Sequence, residues 1–142
     1  MILEGIVALI VEAGSGLEAI TANRIFPVTL PENIAAAAYT GGFPAMTYQV
    51  VGGTGQPGLK TSGPQRWRVQ FDCYGVGTAT ASGYSAAKGV REALRLLLNG
   101  FSGALPDGSV VESILWIQPI DYFESAARQY RCACEFYVNF NF

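Results

Sequence analysis

The sequence predicts an α+β domain: an antiparallel sheet with an N-terminal helix and a central amphipathic helix packed on it, plus an extended Gly-rich hairpin arm. Three observations carry this expectation. Trp67, Val69, Phe71 and Cys73 alternate with Arg68, Gln70, Asp72 and Tyr74, the period-two signature of a strand with one face in a core and one face wetter. From Ser82 the period changes to that of a helix, with Ala87, Val90, Leu94, Leu97 and Leu98 on one stripe and Lys88, Glu92, Arg95 and Asn99 opposite. Between two strand-like runs, segment 52–64 (GGTGQPGLKTSGP) holds five glycines and two prolines and almost no side chain able to build a core. A strand whose apolar face meets a helix's apolar stripe is the nucleus of a two-layer domain. The 142 residues suffice for one such domain, spanning 1–142, and are too few for two.

Taken in order, the chain opens with a short amphipathic helix from about Ile2 to Ala13, with Leu3, Ile6, Val7 and Ile10 facing the core and Gly14-Ser-Gly as its stop. It is no signal peptide by pattern, since Glu4 sits where a basic leader would be. Nor does any run approach the ~18 apolar residues that span a bilayer, so no membrane partner is expected. Arg24-Ile-Phe-Pro-Val reads as a short extended segment closed by Pro27, continued by Leu30-Pro31. Ile34 to Tyr39 is alanine-rich and long enough for one helical turn before Gly41-Gly42. Ala45 to Val51 is strand-like, with Met46, Tyr48 and Val50 on one side. The composition of Gly52–Pro64 predicts a mobile arm without regular structure, ordered only by a partner. Ser82 caps the central helix and Gly100 ends it, while Lys88–Glu92 and Glu92–Arg95 sit at supporting spacings. A turn-rich connector, Phe101 to Ser109, leads to a strand from Val110 to Ile117 that Pro119 interrupts. The closing alternation is the longest: Tyr130, Cys132, Cys134, Phe136, Val138, Phe140 and Phe142 against Arg131, Ala133, Glu135, Tyr137 and Asn139. Strands this apolar are central in a sheet or are paired by another chain.

Composition narrows the function. Hydrophobic residues make up 50% of the chain but charged ones only 14%, against about 25% in a typical soluble domain. Such a surface is expected to be covered by other subunits or partners. The net charge of −2 and scattered basic residues argue against a face that reads DNA. Three cysteines, Cys73, Cys132 and Cys134, lie at apolar-face positions, which predicts buried reduced thiols and synthesis in a reducing cytoplasm. Without histidine or a fourth cysteine, Cys132-x-Cys134 cannot complete an ordinary zinc site, so neither metal nor cofactor is expected.

Two stretches mimic catalytic motifs. Gly53-Thr-Gly-Gln-Pro-Gly58-Leu-Lys60-Thr61 approaches a phosphate-binding loop, but Leu59 separates the second glycine from the lysine, and a strand rather than a helix follows. Ser85-Ala-Ala-Lys88 matches S-x-x-K without the companion S-D-N and K-T-G elements. The lack of histidine removes Ser-His-Asp and Cys-His chemistry. Asp121 and Glu124 read as a polar turn and Glu112 as isolated, solvated roles rather than a carboxylate pair. No catalytic residue is assigned, and an enzyme is not expected.

The order of elements resembles the tail-completion, or tail-terminator, proteins of long-tailed bacteriophages and their prophage relatives. The resemblance spans nearly the whole chain. It rests on the N-terminal helix, Arg24-Ile-Phe-Pro with Leu30-Pro31, Phe43-Pro-Ala-Met-Thr-Tyr48 entering a strand, the glycine-rich arm, the Arg66–Tyr74 strand, the Ala86–Leu98 helix and the closing Tyr130-Arg131…Glu135-Phe136-Tyr137-Val138 strand. It implies a structural virion protein at the tail–neck junction. An α+β subunit would form a homo-oligomeric ring, usually hexameric, that caps the tail tube protein and joins it to a head-completion or neck connector protein. DNA would pass through the lumen without being read. Interface residues would then be the functional ones. Thr54, Gln56, Leu59 and Lys60 of the arm are the candidates for a neighbouring ring, and Arg131, Glu135, Tyr137 and Asn139 of the closing strand for neighbouring subunits. The readings from other classes are a small-molecule or peptide-binding α+β module and a neighbouring head–tail connector component.

Overall fold

The computed structural model describes residues 2–12, 25–27, 45–55, 64–76, 83–124 and 129–141. In chain order the elements are helix α1 (Ile2–Val11), strands β1 (Ile25–Pro27), β2 (Ala45–Gly55) and β3 (Pro64–Val76), helix α2 (Gly83–Leu98), then β4 (Gly103–Ala104), β5 (Val110–Val111), β6 (Ser113–Glu124) and β7 (Gln129–Asn141). The fold is α+β, as the two periodicities require. Five strands form one sheet in the order β1-β2-β3-β7-β6, and β4 and β5 form a small separate ribbon. Neighbouring strands are antiparallel except β1, which runs parallel to β2 with Ile25 opposite Met46, so the sheet is mixed.

One face of the sheet carries the core. Trp67, Val69, Phe71 and Cys73 of β3 lie opposite Val138, Phe136, Cys134 and Cys132 of β7, and Met46 and Ile114 extend the same layer on β2 and β6. Both helices close over this face: Ile2, Ile6 and Ile10 of α1 and Val90, Leu94 and Leu98 of α2 join the same buried cluster. Phe136 sits at its centre, edge-on to Phe71 at 5.9 Å and to Trp116 at 5.4 Å between ring centroids, an edge-to-face geometry that aromatic quadrupoles favour. Helix α2 comes unusually close to β3 at one point. A methyl on Gly75 would lie 2.3 Å from the Gly83 carbonyl oxygen and 2.8 Å from the Ala87 nitrogen, so only glycine permits the approach. The helix stops where expected: Gly100 has φ +84°, and its N–H donates to the Ile114 carbonyl at 2.7 Å.

Several expectations are corrected. Ile6 and Ile10 are buried and Leu3 packs against the core as expected, but Ile2 and Gly5, rather than Val7, complete the buried side of α1. Gly5 packs beside the Asp107 and Ser109 side chains, which a methyl there would push aside. The first four residues of the glycine-rich arm are not irregular: Gly52–Gly55 continue β2, paired with Arg68–Gln65 of β3 after a bulge at Val51. A partner strand supplies the hydrogen bonds that glycine's own propensity does not favour. Residues 56–63 lie outside those described, as do the extended segment expected at 28–31 and the helical turn expected at 34–39. Pro119 does not interrupt β6, which runs on to Glu124. It lies on an edge strand just past a bulge between Trp116 and Gln118, where the missing N–H costs no ladder bond. Val110–Val111 pairs with β4 instead of starting that strand. Glu112 is not isolated, since its Oε1 accepts from Asn141 Nδ2 at 2.7 Å.

Candidate functional site

The face of the sheet opposite the core has the more unusual chemistry. Among the described residues no helix covers it. Alternation sends Arg66, Arg68, Gln70, Asp72 and Tyr74 of β3 to this side, and register sets them beside Asn139, Tyr137, Glu135, Ala133 and Arg131 of β7. The result is a polar ladder across the strands. Arg66 Nε donates to Asn139 Oδ1 at 2.8 Å, and Asn139 Nδ2 donates on to Ser113 Oγ of β6 at 2.9 Å. Arg68 grips Glu135 with Nε at 2.7 Å and Nη2 at 2.5 Å from the same carboxylate oxygen, and Gln118 Nε2 reaches it at 3.4 Å. One rung further, Gln70 Nε2 donates to Asp72 Oδ1 at 2.9 Å and Thr47 Oγ1 to Asp72 Oδ2 at 3.5 Å, with Arg131 Nε 3.9 Å away.

This face is polar but not simply wet. Glu135 and Asp72 are each only 5% exposed, because long side chains lie over them. The Arg66 guanidinium stacks 4.8 Å above the Tyr137 ring and that of Arg131 4.1 Å above Tyr122. The carboxylates are thus sunk and the cations lie outermost. Where β2 and β3 run out past the bulge, the layer opens into a groove of about 370 Å³ lined by Val51, Gly52, Gly53, Arg66, Arg68 and Tyr137. The Arg68 side chain is 42% exposed there. A groove with an apolar wall and the Arg66 guanidinium at its side, Arg68 being already paired with Glu135, suits an apolar side chain accompanied by a carboxylate.

Of the residues singled out from sequence, Arg131, Glu135, Tyr137 and Asn139 do share one face, but on an interior strand whose partners are β3 and β6. Strand β7 therefore has no free edge with which to pair a neighbour, and its polar side chains bond chiefly within the sheet. Tyr137 alone of the four lines the groove. Thr54 lies on β2 opposite Arg66, while Gln56, Leu59 and Lys60 fall outside the described residues. Sequence reading missed Val51, Arg66 and Arg68. Alternation alone places the arginines opposite the core, but the groove needs β7 as neighbour, which local sequence does not reveal.

A second polar cluster lies at the far end of the sheet on the helix side. Asp121 is not in a turn: it is on β6 opposite Cys132 of β7. It accepts from Arg91 of α2 and, at 3.0 Å, from the Tyr84 hydroxyl. Partial burial pushes the Asp121 carboxyl up, but the hydrogen bonds from Arg91 and Tyr84 outweigh it and hold it below the ordinary aspartate range. Burial likewise works against the Arg91 charge and Asp121 more than restores it. Burial pushes the Cys132 thiol up to about 11. Cys73 is raised well above its usual value by its hydrogen bond to Cys134 and by burial. These thiols are protonated at neutral pH, which makes them poor nucleophiles. Among the described residues no group of His, Cys, Asp and Glu is arranged to hold a metal ion, and no helix is long and apolar enough to cross a membrane.

No family model matches the chain, and no curated protein matches it in sequence. In structure it is similar to a chain of the "Virion of native gene transfer agent (GTA) particle", with a TM-score of 0.64. The match covers 92% of this chain and 87% of that one at 13% sequence identity. At that identity the likeness is one of fold.

Proposed function

We infer that this protein is a structural subunit of a phage-like virion rather than an enzyme. Within that class it is read as the ring that caps the tail tube and joins it to the head's neck connector, with DNA passing through the lumen. The observation that carries the reading is the match of fold over nearly the full length of both chains to a component of a gene transfer agent particle. Two features of the chain support it. Only 14% of residues are charged, a proportion suited to a surface largely covered in an assembly. Strands β2 and β3 carry the sheet out to Gly55 and Pro64, the residues that flank segment 56–63 in sequence, which fits an arm that reaches a neighbour.

A terminator must stop tube growth, and head-to-tail contacts do this only if the rotation per subunit closes the ring. Native mass spectrometry of the purified protein, alone and with its tail tube protein, tests the reading. Closed rings, six-membered on the family expectation, that bind tube ends are expected. A protein that stays monomeric even with the tube protein would overturn it. The groove beside Arg66 and Arg68 favours one alternative, a peptide-binding module. In that case the native mass would be that of a monomer or dimer, and an acidic peptide would bind without any ring.

A further inference from the structure

A head-to-tail ring needs two complementary patches on different sides of each subunit. The sheet face supplies one, the groove at the root of the β2–β3 hairpin. Its apolar part is Val51, 42% exposed, with the glycine floor and the Tyr137 ring. Its charge comes from Arg66, because Arg68 is already paired with Glu135. Arg66 uses Nε on Asn139 and its face on Tyr137, and its two terminal nitrogens make no hydrogen bond among the described residues.

The other side of the molecule carries the match. Helix α2 packs Val90, Leu94 and Leu98 inward, so its outer side faces away from the sheet. On that outer side Leu96 is 75% exposed, the most exposed large apolar side chain of the described residues. The internal packing gives no reason for it, since Ala93, Leu97 and Phe101 already pack around the core from this helix and its exit. One turn before Leu96 stands Glu92, half-exposed and bonded only to Arg95 on the same helix at 3.0 Å, a surface pair of little energetic weight. An apolar knob and a carboxylate one turn apart complement the groove's apolar wall and its Arg66 guanidinium.

We propose that the groove formed by Val51, Gly52, Gly53, Arg66, Arg68 and Tyr137 receives the outer face of α2 from a second copy of this chain, with Leu96 seated against the apolar wall and Glu92 against Arg66. The inference rests on the ring reading and deepens it by assigning the subunit contact. Because the two patches lie on opposite sides of the sheet–helix sandwich, the contact is heterologous and propagates from subunit to subunit. It leaves the backbone of β7 uninvolved.

Leu96→Asp, Arg66→Glu and Glu92→Arg all alter exposed side chains, and circular dichroism checks that each variant folds. Assembly is read by native mass spectrometry over a concentration series. Leu96→Asp is expected to raise the assembly midpoint at least about tenfold, and Leu96→Met to leave it near wild type. Arg66→Glu and Glu92→Arg should each weaken assembly alone. An equimolar mixture should recover rings in which the two variants alternate, because each junction then joins opposite charges. Wild-type assembly by Leu96→Asp, or no recovery in the mixture, would overturn the proposal while leaving the ring reading intact. Rings of Leu96→Asp that form normally but fail to bind the tube protein would assign Leu96 to that protein and likewise overturn it. A wild-type chain that never assembles would overturn the ring reading, and the contact with it.

Discussion

Leu94→Ala tests the packing of α2 on the sheet. Leu94 is 0% exposed and belongs to the cluster that joins β3, β7 and both helices. The substitution removes three carbon atoms from the core. At about 0.8 kcal/mol for each buried carbon, the transfer loss is about 2.4 kcal/mol. A residual cavity on the order of 50 Å³ adds about 1.2 kcal/mol at ~24 cal/mol per Å³. The expected cost is therefore about 3.6 kcal/mol, a large share of the roughly 5–15 kcal/mol that holds a domain of this kind together. Urea melts followed by far-ultraviolet circular dichroism measure it directly, with an unchanged m-value showing that the unfolded state is the same. Lys88→Ala is the control. Lys88 is exposed, its ammonium 5.8 Å from the Tyr84 ring centroid, and its loss should change stability by no more than about 0.5 kcal/mol. Equal losses at the two positions, or a Leu94→Ala cost below about 1 kcal/mol, would refute the facing of α2.

Gly75→Ala should destabilise by about 1–3 kcal/mol, because the added methyl meets backbone atoms of α2 rather than movable side chains; the same melts would show it, and a neutral result would mean the helix does not approach β3 so closely. Asp121 predicts an acid-sensitive contact. Its folded pKa lies below its unfolded value, so the stability it contributes is present above about pH 4 and is lost as pH falls through the folded pKa. Asp121→Asn should thus lower the melting temperature at pH 7 more than at pH 3, and equal effects at both would count against the Arg91–Asp121–Tyr84 cluster. Deleting residues 138–142 removes Val138 and Phe140, each 1% exposed, from a strand bonded on both sides. Loss of cooperative thermal unfolding is expected, whereas a stable fold that merely fails to assemble would show that this end of β7 is peripheral.

Sequence alone determined the features that depend on near neighbours. Alternation told which side chains of β3 and β7 enter the core, and the helical period told that Ala87, Val90, Leu94 and Leu98 face inward. These follow from backbone geometry, which puts residues two apart in a strand and three or four apart in a helix on the same side. Gly100 as a stop was legible for a similar reason, since positive φ is nearly free for glycine. What the tertiary structure decided were the non-local pairings. That β7 lies between β3 and β6 makes the most apolar strand interior and gives it no edge to offer, and that β1 runs parallel to β2 makes the sheet mixed. No local pattern encodes either, because hydrogen-bonding edges are alike in every strand and partners are chosen by packing across long sequence separations. The same holds for the sunken carboxylates. From sequence Asp72 falls on the wetter face of its strand and Glu135 among the candidates for neighbouring subunits; register instead puts Arg68 beside Glu135 and Gln70, Thr47 and Arg131 around Asp72. The periodicity that hides Leu94 and Leu98 also leaves Leu96 outside, but only the packed core, already filled by its neighbours, shows that among the described residues nothing covers it.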